Sequence, residues 1–145
     1  MNGPGAAGYV VPTPNRDTAA WWEAMAQGRL TIPECTNCRR RFFPPQPFCP
    51  HCGSQGWNLA PVRGDGRVYS WVVANRSFAP EFDKDVPYGI VAVDLSDGGR
   101  LIGRYLGDPS DLLAGLAVVA EVERKDGFGL LWFAPAEAQD RRRRS

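Results

Sequence analysis

Four cysteines, arranged as two C-x-x-C pairs, are the residues of this 145-residue chain whose spacing points to chemistry. Cys35 and Cys38 form the first pair, Cys49 and Cys52 form the second, and the chain has no other cysteine. A C-x-x-C knuckle aims two thiolates at one point, so two knuckles this close in sequence can surround one tetrahedral ion. Four thiolates leave no position open for water or substrate. The pattern therefore predicts a structural zinc ion rather than a catalytic one.

Two disulfides and rubredoxin-type iron are the other interpretations of these cysteines. Disulfides need an oxidising compartment, and the first residues, Met-Asn-Gly-Pro-Gly-Ala-Ala-Gly, show neither the basic leader nor the apolar run of a signal peptide. No apolar stretch approaches the ~20 residues of a membrane span. We therefore expect a cytoplasmic protein with reduced thiols, in which a metal is favoured over cystine. The sequence leaves iron open beside zinc.

The remaining side chains argue against independent catalysis. His51, inside the second knuckle, is the only histidine, and we expect it to be exposed rather than a ligand. If all four cysteines bind metal, no thiol remains as a nucleophile, and the sequence contains no G-x-S-x-G, P-loop or H-E-x-x-H motif. Glu81, Asp83 and Asp85 can exchange protons, but in a charged loop at 75–87 we expect solvated carboxylates. No catalytic residue is therefore assigned.

The charge distribution weighs against general binding to nucleic acid. The net charge is +1, and residues 141–144 supply four arginines, so the rest of the chain is mildly acidic. Such binding depends on neutralising phosphates with basic residues. Two features keep a single-stranded nucleic-acid hypothesis open: the arginines at 39–41, and the aromatic rings of Tyr69, Trp71 and Trp132, which can stack bases.

Turn signals and apolar periodicity indicate the elements that position these residues. Residues 1–16, rich in Gly, Pro and Ala, predict a flexible lead. A short helix is expected over residues 19–27, with its N-cap at Asp17 or Thr18 and its end at Gly28. A brief strand at residues 30–32 leads into the first knuckle.

From residue 64 onward the pattern predicts five strands and one short helical segment. The strands are expected at 67–74, 88–95, 100–106, 117–123 and 130–133, with helical turns at 108–114. Three strands, a helix and two strands is the layout of an OB-fold barrel. A three-plus-two sheet of another kind also fits this pattern. We predict a mainly β protein with these segments: a lead at 1–16, an N-terminal helix at 17–29, a four-cysteine zinc ribbon at 30–60, a five-stranded OB-fold at 61–135 and an Arg-rich tail at 136–145.

The order of these features resembles a known family. A Trp-Trp-Glu-Ala helix is followed by the two knuckles, with Phe-Pro-Pro at 43–45 between them, and then by Gly-Asp-Gly at 64–66, where the barrel begins. In this order the residues resemble the two-module family that joins a rubredoxin-like zinc ribbon to an OB-fold. The resemblance runs from about residue 20 to residue 133 and includes all four cysteines. One departure is Arg39, which stands where many such ribbons have glycine.

The resemblance implies a small, non-catalytic companion of acyl-CoA enzymes. Members of the family associate with thiolase-like proteins (acyltransferases, hydroxymethylglutaryl-CoA synthases, lipid-transfer-type retro-aldolases) or are fused to hydratases. We therefore expect a hetero-oligomer in which this chain stabilises its partner and helps to bind or admit an acyl-CoA substrate. Acyl transfer and retro-aldol cleavage of a steroid side chain are two candidate reactions of the partner. A free-standing acyl-CoA-binding protein is the main alternative.

The aromatic residues near the knuckles are the predicted contacts with such a partner. Trp21 and Trp22 are adjacent on the helix, and Phe42 and Phe43 are adjacent between the knuckles. Interfaces favour aromatic anchors. The competing interpretation is that these rings pack within the chain itself.

Overall fold

The computed structural model describes residues 11–77 and 79–137, which form one α-helix, a two-stranded ribbon and a five-stranded barrel. Residues 1–10, Phe78 and the arginines at 141–144 lie outside the described ranges. No described helix has the length and apolarity that a membrane crossing requires. In chain order, the elements are α1 Ala19–Ala26, β1 Thr31–Cys35, β2 Trp57–Pro61, β3 Asp65–Ala74, β4 Tyr88–Leu95, β5 Arg100–Tyr105, β6 Ala117–Lys125 and β7 Phe128–Pro135, with 3-10 turns at Pro80–Phe82 and Pro109–Asp111.

The barrel is closed, with the strand order β3-β4-β5-β7-β6. Its neighbouring strands are antiparallel except β5 and β7, which run parallel at Arg104 and Tyr105. β3 and β6 close the barrel over Asp65 to Arg67. The structure thus confirms a mainly β protein with one N-terminal helix and a five-stranded OB-fold.

Alternating apolar residues fill the barrel. In β4 the buried positions alternate with partly exposed ones, as expected of a strand with one face in a core. The buried cluster contains Ile32, Val68, Val91, Val93, Leu95, Leu101, Tyr105, Leu112, Val118 and Phe133. Ile32 belongs to ribbon strand β1, so the ribbon and the barrel share one apolar core. Burying an aliphatic or aromatic side chain of this size contributes about 1.5–3 kcal/mol.

The ribbon consists of β1 and β2, paired antiparallel from Thr31 opposite Pro61 to Cys35 opposite Trp57. The brief strand predicted at 30–32 is therefore longer, and its partner β2 was not predicted. β2 carries a proline at its end and shows only partial burial along its length, so no apolar alternation marks it in the sequence.

Helix α1 packs against β7, with Trp21, Ala24 and Met25 buried. The approach is close, because a Cβ placed on Gly129 of β7 would overlap the carbonyl group of Met25. Arg124 Nε donates to the Ala26 carbonyl oxygen at 3.1 Å and so satisfies one of the free carbonyls at the helix end.

The structure agrees with the predicted start of α1 at residue 19, with Thr18 as its N-cap, and with its end before Gly28, but Thr18 does not cap the helix through its side chain. Gly28 has a φ of 80°, the left-handed conformation that ends many helices. At the start, the side chain of Thr18 makes no capping hydrogen bond. Asn15 Oδ1 instead accepts from the backbone N–H groups of Asp17 and Thr18, each at 2.9 Å. The turn that begins the helix is therefore stabilised from Asn15.

Candidate metal centre and the surfaces around it

The Sγ atoms of the four cysteines, Cys35, Cys38, Cys49 and Cys52, lie within 4.8 Å of one another. Cys35 Sγ is 3.6 Å from Cys52 Sγ, and Cys38 Sγ is 3.7 Å from Cys49 Sγ. Zinc–sulfur bonds of about 2.3 Å in a tetrahedron place sulfur atoms roughly 3.8 Å apart. The donor set and its spacing therefore fit one tetrahedral metal ion.

The backbone of each knuckle supports thiolates. The N–H groups of Asn37 and Cys38 both point at Cys35 Sγ at 3.4 Å, and the N–H of His51 points at Cys49 Sγ at 3.4 Å. A hydrogen bond to the charged form of a group stabilises that form. In each knuckle, the backbone N–H two residues after the first cysteine therefore points at the Sγ of that cysteine. This arrangement suits sulfur ligands of a cation.

Two of the four thiols have a lowered pKa. Hydrogen bonds from the side chain and backbone of Ser54, and from Asn37, lower the pKa of Cys52 to about 5. The backbone N–H of Cys38 is the main cause of a lowered pKa at Cys35. The Arg40 backbone N–H lowers the pKa of Cys38, but burial and the neighbouring thiols outweigh it and raise that pKa to about 11. Because metal ligation uses the thiolate, the shifts at Cys35 and Cys52 favour metal binding at neutral pH and the shift at Cys38 opposes it. Cys35 and Cys49 are buried and Cys52 is exposed, so solvent reaches the cluster from the Cys52 side.

His51 lies outside the thiol cluster, as predicted, and Arg39 has an unusual backbone conformation. His51 is exposed, and its Nε2 lies 3.3 Å from the Arg41 carbonyl oxygen rather than in the thiol cluster. Arg39 has a φ of 65°. This left-handed conformation is natural for glycine, so the departure noted at Arg39 falls at a backbone position that favours glycine.

Arg41 is a structural connection between the ribbon and the barrel that the sequence did not reveal. Its Nε donates to Glu34 Oε2 at 3.1 Å, and its Nη1 donates to the carbonyl oxygens of Asp97 and Gly98 at 2.9 and 3.1 Å. Its side chain is only 17% exposed. Of the three consecutive arginines, therefore, Arg41 is engaged within the chain, and Arg39 and Arg40 are exposed.

A groove of about 550 Å³ lies between the ribbon and the β4–β5 hairpin. Its lining combines cationic and apolar groups, among them Arg41, Phe43, His51, Arg100 and Ile102. Arg100 is held on this surface, because its Nε lies 2.6 Å from Asp94 Oδ1 and its guanidinium lies 3.5 Å from the ring centroid of Tyr69.

Two of the aromatic residues predicted to meet a partner are buried instead. Trp21 and Phe42 are each 4% exposed. Trp21 Nε1 donates to the Thr31 carbonyl oxygen at 2.9 Å, and its ring centroid lies 5.1 Å from that of Phe43. The prediction is therefore wrong for Trp21 and Phe42, which pack within the chain, while Trp22 and Phe43 are half-buried.

Asp85 of the loop at 75–87 and Trp132, one of the aromatic residues predicted to stack bases, both contact Arg104. Asp85 pairs with Arg104 at 3.1 Å, and that guanidinium lies over the rings of Tyr88 and Trp132 at 4.2 and 5.1 Å. Trp132 and Tyr69 therefore each have an arginine over the ring, since the Arg100 guanidinium lies 3.5 Å from the Tyr69 centroid. Trp71 on β3, in contrast, is 38% exposed, with no cation above its ring among the described residues.

Two family models match the chain in tandem. Residues 22–58 match "ChsH2, rubredoxin-like zinc ribbon domain", and residues 60–123 match "ChsH2, C-terminal OB-fold domain". These ranges contain all four cysteines and most of the barrel.

Three known proteins illustrate what the chain is similar to. A "Probable enoyl-CoA hydratase alpha subunit" from Thermomonospora curvata is 39% identical over 89% of this chain, and the chain spans 40% of its length. "Benzoylsuccinyl-CoA thiolase subunit BbsA" from Thauera aromatica is 26% identical over 75% of this chain and is covered to 78%. A solved chain of the "Ltp2-ChsH2(DUF35) aldolase" is 39% identical, with a TM-score of 0.75, over 87% of this chain and 99% of that one.

The ribbon with its cysteine cluster precedes the barrel, in the order of the two matched models. The likeness to the solved chain extends over nearly all of that chain. The chain belongs to the ChsH2 family, in which a rubredoxin-like zinc ribbon is joined to a C-terminal OB-fold domain.

Proposed function

We propose that this chain is a non-catalytic accessory subunit of a thiolase-superfamily acyl-CoA enzyme. The observation that carries the proposal is the 39% identity to a chain of the Ltp2-ChsH2(DUF35) aldolase over 99% of that chain's length. The similarity to a subunit of benzoylsuccinyl-CoA thiolase supports the same class of partner. Acyl transfer or retro-aldol cleavage, including that of a steroid side chain, is the reaction we assign to the complex.

The positions of the reactive side chains support a non-catalytic role. The four thiols that could act as nucleophiles are gathered in one cluster, and His51, the only histidine, lies against a backbone carbonyl oxygen. Asp85 is engaged with Arg104. Nucleophilic catalysis needs a nucleophile within reach of a base. Beyond the thiol cluster, Ser110 Oγ donates to Asp108 Oδ1 at 2.8 Å, but the same oxygen accepts from the Ser110 backbone N–H, as in a contact that stabilises a turn. The reacting groups therefore belong to the partner.

The groove between ribbon and barrel is the proposed surface for part of an acyl-CoA substrate. Arg100 offers a guanidinium group, which suits phosphate oxygens, beside its partner Asp94 in the same lining. Phe43 and Ile102 offer apolar area for the pantetheine or acyl part. Because the groove is open, we expect it to admit the substrate, and we expect the partner to complete the binding site.

The metal in the thiol cluster is proposed to be zinc, held by Cys35, Cys38, Cys49 and Cys52. A fully thiolate-coordinated zinc ion supplies folding energy and no open position for chemistry. Its expected role is to keep the ribbon in the conformation that forms one wall of the groove.

The test is an affinity pull-down of the full chain from its native host, with the retained proteins identified by mass spectrometry. Recovery of a thiolase-like or hydratase protein in near-equal amount supports the proposal. If no such protein is retained and the isolated chain binds CoA esters by calorimetric titration, the chain is a free-standing acyl-CoA-binding protein. Binding of single-stranded nucleic acid that weakens steeply with salt would favour the third class.

A further inference from the structure

Half of strand β3 has an open edge. β3 pairs with β4 from Gly66 to Ala74, but it pairs with β6 only from Asp65 to Arg67. Val68 makes the last backbone bonds on that side, with Gly115 and Leu116. A β-bulge between Val68 and Ser70 then turns the strand away from its neighbour. Residues 69–74 therefore extend past the barrel with pairing to β4 alone among the described strands.

The side chains along this edge are apolar on both faces. Trp71 lies opposite the fully buried Val91, so it is on the inner face of the barrel wall, and yet it is 38% exposed. Val72, on the outer face, is 62% exposed, and Tyr69 is 55% exposed. A strand added here would find apolar contacts on each of its own faces.

Open edges in stable proteins are usually protected by charged side chains. β5 shows this protection, because it meets β7 only at Arg104 and Tyr105 and carries Arg100 and Arg104 on a short strand. Residues 69–74, in contrast, contain no charged side chain over about 20 Å of strand. An uncharged edge of this length is suited to pairing with an extended segment.

The charges at the two ends of the edge select the occupant. Arg67 and Arg76 flank it, and both are exposed. Antiparallel pairing of two copies would bring Arg67 of each copy to the Arg76 end of the other, and like charges brought together in a sheet are destabilising. The chain's own basic residues at 141–144 meet the same repulsion. The complementary occupant carries acidic side chains.

We propose that an extended segment of the partner enzyme, apolar at its centre and acidic at each end, adds as a strand to β3 at residues 69–74. The proposal rests on the accessory-subunit function and names the surface that this function uses. The main-chain hydrogen bonds of the added strand supply affinity, and the contacts with Tyr69, Trp71 and Val72 supply specificity.

Amide hydrogen exchange on the purified complex tests the strand addition directly. The probe is the thiolase-type protein recovered with the full chain in the pull-down. Backbone amides of alternate residues within 69–74 are expected to exchange at least about tenfold more slowly in the complex than in the free chain. Unchanged exchange at 69–74 in an intact complex would overturn the strand addition while leaving the accessory-subunit function in place.

Two matched valine substitutions provide the second readout. Val72→Lys places a charge on the edge of β3, where Val72 is 62% exposed. Val11→Lys makes the same change outside this strand, where Val11 is 48% exposed. Val72→Lys is expected to weaken binding of the partner by about tenfold or more, and Val11→Lys is expected to leave it unchanged. Arg76→Glu should also weaken binding. Equal affinities for Val72→Lys and Val11→Lys, with both variants folded, would overturn the proposal.

The behaviour of the unmodified chain separates the two proposals. If it retains no thiolase-like or hydratase protein, the accessory-subunit function fails and the strand addition fails with it. If it elutes as a dimer whose 69–74 amides are already protected, the edge is covered by a second copy and the partner strand is ruled out. Loss of that protection on removal of residues 138–145 would instead assign the edge to the chain's own tail.

Discussion

Arg39 occupies a backbone conformation that disfavours its own side chain. Its φ of 65° lies in the left-handed region, directly after the first C-x-x-C pair. A residue with a Cβ is strained there by roughly 1–2 kcal/mol, whereas glycine is not. The chain thus accepts a small loss of stability at this turn.

Arg39→Gly is accordingly expected to raise the free energy of unfolding by about 0.5–1 kcal/mol, since the relief of strain exceeds the entropy that glycine adds to the unfolded chain. Urea unfolding measures this change. Arg40→Gly, at the exposed neighbouring residue, is the control and should lower stability or leave it unchanged. A lower stability of Arg39→Gly than of Arg40→Gly would contradict the explanation.

Arg41 is the second residue whose role depends on geometry. Its guanidinium joins Glu34 of the ribbon to the backbone of the β4–β5 turn. Lysine has one compact ammonium group and cannot satisfy these acceptors together. Arg41→Lys is expected to lower the free energy of unfolding by about 1–3 kcal/mol. Arg40→Lys is the control for the same chemical change, and its free energy of unfolding should be within about 0.5 kcal/mol of that of the unmodified chain. Equal losses of stability in the two variants would show that Arg41 does not connect the ribbon to the barrel.

At the scale of elements, helix α1 depends on a single close approach to β7. The backbone of Met25 lies directly over Gly129, where there is no space for a side chain. Gly129→Ala is expected to displace the helix and lower stability by about 1–3 kcal/mol, as overpacking does. Thermal unfolding and the exposure of Trp21, followed by fluorescence, measure the effect.

Gly127→Asn is the control for this substitution. Gly127 has a φ of 84° and open space around its Cα, and asparagine tolerates that conformation. Unchanged stability of both variants would mean that α1 does not require the close contact.

The sequence predicted those elements whose signals are local. The cysteine knuckles, the strand at 88–95 and the end of α1 at Gly28 each depend on a few neighbouring residues, and the structure agrees with them. β2 was missed because its partner β1 is distant in sequence and its apolar residues do not alternate. The burial of Trp21 and Phe42 was misjudged for the same reason, since the groups that cover them come from distant parts of the chain.

The ribbon has a small core of its own that should require metal. Cys35, Phe42 and Cys49 are buried together, with Cys38 and Trp57 packed against them. Metal binding in zinc-finger peptides is worth on the order of 10–16 kcal/mol and is linked to folding. Cys35→Ser is expected to abolish metal binding, measured by elemental mass spectrometry, and to speed amide exchange in the ribbon.

The control for this experiment is Thr36→Ser, which leaves all four thiols in place. It should retain one zinc ion per chain. Full amide protection of the ribbon in metal-free Cys35→Ser would show that packing alone holds it, and recovery of iron in place of zinc would correct the identity of the metal.

At the scale of the whole molecule, three connections join the ribbon to the barrel. Ile32 is part of the barrel core, Arg41 joins the ribbon to the β4–β5 turn, and α1 contacts β1, β6 and β7. Shared packing of this kind favours cooperative unfolding. The metal-loaded chain is therefore expected to unfold in one calorimetric transition, and removal of the metal by a chelator should leave a transition of smaller enthalpy for the barrel. Two separate transitions in the metal-loaded chain would show that the connections are weak.

The packing of α1 on β7 also has a consequence for synthesis. The helix is among the first described elements to leave the ribosome, and Gly129, on which it rests, is made about a hundred residues later. Until then, Trp21 and Met25 have no β7 surface to cover them, and exposed apolar groups on a growing chain promote aggregation. The nascent chain therefore exposes these apolar side chains for about a hundred residues of synthesis, which is the condition that chaperones recognise.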